Sequence, residues 1–326
     1  MAIIAANEIS EIRTYTLGGY EQKVLIEGKK RSSPIVIFLH GGPGSPIPFC
    51  EGCRGMFPDI TERVTMVYWD QLGCGINNHP IDDSFTIEHF AAMTVDLIRH
   101  LKHDFPDNTV NLFGVSWGSV LAAKAAALAP ESLHKVMIYG QVLKQNFFND
   151  EVYDVLEHSK MPPNEREKLS KIKQASTHDP KDLRRIVGWI QKYTEGYQCK
   201  KGGKMQLGKI IRSLLTSPDY SFRDFTAIII NGYRKNKSLI TELLDIDLSQ
   251  TLQRITVPYL ILQGETDIVT STKMIRSFVE TAGNDNLMFR LVENSGHMPG
   301  AHAMDVIINT EFGFLKDSTV NSVSIE

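Results

Sequence analysis

Ser116 sits in Gly114-Val115-Ser116-Trp117-Gly118, a G-x-S-x-G, and it is where this chain could do covalent chemistry. A serine hydroxyl attacks a carbonyl only when a base takes its proton and an acid holds that base in the right tautomer. His297, in Ser295-Gly296-His297, supplies a base, and Asp267, in Glu265-Thr266-Asp267, supplies an acid. Glu265 and Glu293 are weaker candidates for the acid, each one or two positions off the expected loop point. The oxyanion of a tetrahedral intermediate needs two backbone N–H groups aimed at it. One is expected from Trp117, directly after the serine. The other is expected from the glycine-rich His40-Gly41-Gly42-Pro43-Gly44, with Gly42 the leading candidate and Gly41 leaving room for substrate against the backbone. Such a set transfers an acyl group to water and needs neither a metal nor an organic cofactor.

Each of these residues has an element that can place it. The run 110–115 (VNLFGV) reads as a buried strand and 119–128 (SVLAAKAAAL) as an apolar, alanine-rich helix, so the serine falls at a strand-to-helix turn. Glycines two residues to either side let strand and helix approach, and the helix N-terminus adds partial positive charge beside the hydroxyl. The strands expected at 34–39 (PIVIFL), 258–264 (PYLILQG) and 286–292 (NLMFRLV) each run into one of the other loops. Chemistry in an open α/β sheet gathers in such loops, beyond the carboxyl ends of the strands. Further strands are expected at 64–69 and 134–139, an amphipathic helix at 86–105, and a hairpin over 11–28 with Leu17-Gly18-Gly19 as its turn.

The combination of HGGPG at 40–44, Tyr68-Trp69-Asp70-Gln71-Leu72-Gly73-Cys74-Gly75, GVSWGS at 114–119, and the Asp267 and His297 loops resembles the proline iminopeptidase family of α/β hydrolases. The resemblance covers roughly 30–140 and 255–315. It implies a mostly parallel central sheet with helices on both faces and a helical cap inserted over the site. It also implies that Ser116, Asp267 and His297 form a triad, with Gly42 and Trp117 as the oxyanion hole. The chain departs from the family where an arginine usually follows the Asp-Gln pair: Leu72 stands there, and Ile76-Asn77-Asn78 closes the segment.

Composition agrees with a globular enzyme. A chain of 326 residues with 42% hydrophobic and 22% charged residues suits one α/β domain with an insertion. The formal charge of −3 argues against a nucleic-acid partner. No apolar run is long enough to span a membrane, and MAIIAANEIS lacks the basic and apolar regions of a secretion signal, so the cytoplasm is expected. Four cysteines do not suggest a disulfide framework; Cys50, Cys53 and Cys74 are expected as free thiols near the site entrance, open to oxidation.

Strand-like runs stop after Gln141 and resume at Pro258. Residues 142–253 are therefore assigned to the helical cap, and 1–141 with 254–326 to the core. The expected substrate is a small molecule or short peptide. An aminopeptidase must hold a protonated amine with carboxylates facing the pocket. Glu195 and Glu242 are nominal candidates from the cap, although Lys and Arg outnumber Asp and Glu there and Ile268 follows Asp267. The leading expectation is an aminopeptidase that releases an N-terminal proline or other small residue. A carboxylesterase, lactonase or amidase on small uncharged substrates is the second. A ligand-binding protein on the same fold is the third. Dehalogenase and epoxide hydrolase chemistry is disfavoured, because those relatives place aspartate where Ser116 stands.

Overall fold

The apolar runs Ile35–Leu39 and Lys135–Tyr139 are buried at every position, as strands covered on both faces must be. They belong to one sheet. The computed structural model describes residues 2–144, 147–203, 207–234 and 236–317. Its strands are β1 (Ile9–Leu17), β2 (Tyr20–Gly28), β3 (Ile35–Leu39), β4 (Thr65–Tyr68), β5 (Val110–Val115), β6 (Lys135–Tyr139), β7 (Tyr259–Gly264) and β8 (Leu287–Val292). Their spatial order is β1-β2-β4-β3-β5-β6-β7-β8. The β1–β2 and β2–β4 pairs are antiparallel and the remaining pairs parallel, which is the expected α/β architecture. The β1–β2 hairpin closes at Leu17 and Tyr20 over Gly18 and Gly19, both at positive φ, where a two-residue turn matches the strand twist.

Helices of five residues or more are α1 (Ile87–Asp104), α2 (Trp117–Leu128), α3 (Asp150–Glu157), α4 (Pro163–Gln174), α5 (Pro180–Tyr193), α6 (Leu207–Leu215), α7 (Phe222–Ile229), α8 (Lys237–Leu244), α9 (Ser249–Gln253), α10 (Thr272–Thr281) and α11 (Ala301–Lys316). Strand alternation decides which helices cover which face. Ile35, Ile37, Leu112, Val136 and Ile138 pack with α1, α2 and Ile275 of α10. Val36, Phe38, Phe113, Met137 and Leu260 pack with Ala303, Ile307 and Phe312 of α11. The helix expected from 119 begins two residues earlier, at Trp117, because Ser116 alone turns the chain out of β5.

Between β6 and β7 the named elements are all helical. Residues 145–146, 204–206 and 235, which fall in that stretch, and 318–326 at the end lie outside the described residues. Helices α3 to α5 close over a cluster of their own that includes Leu156, Leu169, Ile186 and Trp189, and it takes in Ile268 and Val269 from the acid loop. Trp189 and Tyr193 both face that cluster. Helices α6 and α7 bring Leu214 and Ile228 down on Cys50 and Cys53, with Tyr220 between them. The Arg54 guanidinium grips Asp219 at 2.7 and 2.8 Å beside that contact. The cysteines correct an expectation of thiols open to oxidation: all four are free of disulfides but buried, and the Cys50 and Cys53 sulfurs lie 3.3 Å apart in the interior. Among the described residues no helix is long and apolar enough to cross a membrane.

Candidate active site

Strand β5 ends at Val115 and α2 starts at Trp117, so one residue makes the whole turn. Ser116 takes φ 51° and ψ −115°, a conformation that side chains other than glycine rarely adopt. The flanking glycines are there for space. A Cβ on Gly118 would overlap the Leu39 carbonyl oxygen, and one on Gly114 would lie 2.8 Å from Gly118 O. Gly41 presses on the elbow from the β3 loop: a Cβ there would stand 3.2 Å from Val115 O and 3.4 Å from Ser116 Cβ.

Three distant loops meet at this point. His297 Nε2 lies 3.0 Å from Ser116 Oγ, and its Nδ1 lies 2.9 Å from Asp267 Oδ2. Asp267 is 1% exposed and His297 8%, so the acid is held away from water while the imidazole edge reaches it. Asp267 Oδ1 accepts the Val269 and Thr270 amides at 2.8 and 3.0 Å, and Oδ2 also accepts Thr270 Oγ1 at 2.8 Å. These bonds, with a longer one of 3.4 Å from Gln263 Nε2 to Oδ2, fix the carboxylate plane so that Oδ2 faces the imidazole. The alternative acids stand elsewhere: Glu265 Oε2 takes the Asn294 amide at 2.8 Å, and Glu293 is exposed.

Three residues that sequence reasoning missed hold this arrangement. Gln263, buried at the end of β7, donates to Thr270 Oγ1 and accepts the Gln141 amide. Thr270 Oγ1 bridges the acid to the Gln263 side-chain amide and lies 3.3 Å from His297 Nδ1. Tyr139, at the end of β6, donates to Gly296 O at 2.5 Å and meets Ser295 Oγ at 2.6 Å, pinning the histidine loop. A readable signal existed for Gln263: a polar residue closing the apolar run PYLIL needs a buried partner.

On the other side of the serine, neither the Trp117 nor the Gly42 amide donates to an acceptor among the described residues. The loop carrying Gly42 is tied to the elbow by side chains. Trp117 Nε1 donates to Gln71 Oε1 at 2.8 Å, and the Gln71 amide donates to His40 Nε2 at 3.1 Å. Burial pushes His40 down to about 4, so it stays neutral and can accept that bond. Beneath lies a pair of buried acids. Asp70 Oδ1 accepts the Glu51 amide and Glu51 Oε1 accepts the Asp70 amide, while the Tyr220 hydroxyl donates to Asp70. Burial pushes Asp70 up to about 6 and Glu51 well above the usual carboxylate range. The departures at this segment fit the interior. Leu72 is fully buried, and Asn77 Nδ2 donates to Lys23 O, Glu51 Oε1 and Asp70 O.

A protein family described as alpha/beta hydrolase fold matches residues 34–300, which is most of the chain. The chain belongs to that family. A probable aminopeptidase of Bacillus subtilis, YbaC, is 26% identical over 318 residues, covering 93% of this chain and 95% of the relative. A proline iminopeptidase of Heyndrickxia coagulans is 26% identical over 275 residues, covering 81% and 84%. Among solved structures, VinJ superposes with a TM-score of 0.65 at 22% identity, over 94% of this chain and 98% of its own. The proline iminopeptidase of Mycobacterium smegmatis superposes with a TM-score of 0.63 at 20% identity, over 94% and 97%. The structural likenesses speak for the fold alone. The curated relatives make hydrolytic activity the general expectation for this α/β hydrolase.

Within this α/β hydrolase the two carboxylates expected to receive an amine are each engaged by donors of their own surroundings. Glu242 Oε2 accepts the Ile87 amide at 2.8 Å, where it satisfies and electrostatically favours the N-terminus of α1. It lines a groove of about 500 Å³ with Thr86, Lys124 and Thr241, and neither Ser116 nor His297 reaches that groove. The Glu195 carboxylate folds back on its own turn, accepting the Lys200 amide at 3.2 Å and the Cys199 thiol at 3.4 Å. In each case a backbone amide close by, that of Ile87 or of Lys200, donates to a carboxylate oxygen. A second groove of about 480 Å³ flanks the acid loop at Thr266, Asp267 and Ile268, and it too excludes the serine and histidine.

Proposed function

We propose that this α/β hydrolase is a serine hydrolase that cleaves an amide or ester of a small substrate through an acyl-enzyme, acting as an aminopeptidase of the proline iminopeptidase type. The observation that carries this reading is the unbroken series Ser116 Oγ, His297 Nε2, His297 Nδ1, Asp267 Oδ2, with contacts of 3.0 and 2.9 Å. His297 takes the hydroxyl proton as Ser116 attacks the carbonyl. Asp267 stabilises the imidazolium that results. The amides of Trp117 and Gly42 receive the oxyanion, and His297 returns its proton to the leaving group. Water then repeats the sequence on the acyl-enzyme, and 142–253 acts as the cap that closes over the substrate.

The aminopeptidase assignment draws on the curated relatives named as aminopeptidase and proline iminopeptidase. The engagement of Glu195 and Glu242 by local donors favours a second reading, a carboxylesterase, lactonase or amidase on uncharged substrates. Two measurements separate the outcomes. A fluorophosphonate probe should label the wild-type chain and leave Ser116→Ala unlabelled; labelling of the alanine variant would refute the serine chemistry. Proline β-naphthylamide should be cleaved and its N-acetyl derivative refused. Turnover of p-nitrophenyl acetate with neither naphthylamide cleaved would move the assignment to the esterase reading.

A further inference from the structure

Residues 194–203, between α5 and α6, run directly against the loops that carry the acid and the base. Their carbonyls accept three hydrogen bonds from those loops. Thr266 Oγ1 donates to Glu195 O at 2.7 Å, the His297 amide to Gly196 O at 3.0 Å, and the Met298 amide to Tyr197 O at 2.7 Å. The approach is so close that only glycine fits on both sides. A Cβ on Gly296 would come within 2.9 Å of Glu195 O and 3.0 Å of Gly196 O. A Cβ on Gly202 would overlap Asn294 O, and one on Gly300 would overlap Gly202 O. The segment is braced from within. Thr194 Oγ1 donates to Ile190 O at the end of α5 and accepts the Gly196 amide, and the Glu195 carboxylate closes the next turn on the Lys200 amide. The Tyr197 ring stands 5.9 Å from the imidazole.

Two of these contacts join main chain to main chain, one of them at the residue proposed as the base. We propose that the backbone of 194–203 is a positioning element for His297, so that the helical insertion builds part of the proton-transfer apparatus as well as covering the substrate. The inference rests on the Ser116–His297–Asp267 reading given above. Its consequence is kinetic. Loosening the segment lets the imidazole wander from Ser116 Oγ, and a displacement of the order of 1 Å lowers turnover by up to about a hundredfold. Ground-state binding of a small ester, which needs little of the insertion, is left nearly intact.

The test uses the full chain and p-nitrophenyl acetate. Thr266→Val removes the hydroxyl that reaches Glu195 O and Ser295 O while keeping the shape, and Thr266→Ser restores it. Thr266→Val should lower kcat about tenfold or more with KM nearly unchanged, slow fluorophosphonate labelling in parallel, and shift the acidic limb of the kcat/KM profile. Thr266→Ser should recover most of the loss. Gly202→Ala, which forces the segment off the 294–300 loop, should act in the same direction. If it fails to fold by circular dichroism, the threonine pair decides alone. Wild-type kcat, KM and acidic limb in Thr266→Val, with Ser116→Ala inactive, would overturn the positioning role and leave the triad standing. Turnover retained in Ser116→Ala would instead overturn the triad.

Discussion

Replacing Asp267 with asparagine tests the site with one atom. The two oxygens of Asp267 do different work. Oδ1 receives two backbone amides, from Val269 and Thr270, while Oδ2 faces His297 Nδ1 at 2.9 Å. An asparagine must keep its oxygen where the two amides point, because an NH2 group there would face two donors. Its NH2 then faces the imidazole. His297 can meet it only with a bare Nδ1, which puts the ring proton on Nε2, the atom 3.0 Å from Ser116 Oγ. That tautomer cannot accept the serine proton. A wrong tautomer of this kind costs about 10⁴ in kcat, equivalent to about 5.5 kcal/mol of transition-state stabilisation. The assay is single-turnover acylation by p-nitrophenyl acetate, with thermal unfolding measured alongside to check that the fold survives. An Asp267→Asn variant that acylates at the wild-type rate would refute the reasoning and return Glu265 or Glu293 to consideration as the acid.

Three further outcomes are expected. Trp117→Phe leaves the buried Gln71 Oε1 without its 2.8 Å donor and should cost about 1–3 kcal/mol in urea unfolding; a loss below about 0.5 kcal/mol would mean that this tie carries little. Between about pH 4 and 6 folded Asp70 keeps a proton that the unfolded chain releases, so its contribution falls as pH rises, whereas His40 favours the folded state increasingly from about 4 to 6.5. The two opposing contributions are each about 3 kcal/mol. Asp70→Asn should therefore gain stability with pH more steeply than wild type, and parallel curves would refute the assignment. A thiol reagent should modify none of the cysteines in the folded chain within minutes and all four in denaturant; fast reaction of Cys50 or Cys53 in the native state would contradict their burial.

Much of the site was legible because its chemistry leaves residue types behind. The elbow glycines follow from space, and the loops after 34–39, 258–264 and 286–292 follow from apolar runs that end where β3, β7 and β8 end. The hairpin turn was readable from two glycines between alternating strands. The hydrogen bonds of Glu195 and Glu242 were not legible, because a carboxylate on a helical stretch gives no sign of which backbone donor it will meet. The burial of Cys50 and Cys53 was not legible because Leu214 and Ile228, which cover them, stand more than 150 positions away along the chain. The contact of 194–203 with the histidine loop is carried by carbonyl oxygens, which every residue has, so its trace is confined to glycines that read as ordinary punctuation.

The left-handed turn at Ser116 restricts what protein engineering can install there. Cysteine shares the single unbranched heavy atom beyond Cβ and can inherit the same projection, giving a thiol nucleophile on an unchanged scaffold. Threonine cannot be treated as a conservative exchange: its second branch meets a main chain already at φ 51° and the Gly41 backbone just beyond. Of the two exchanges, cysteine is expected to keep the turn and threonine to strain it.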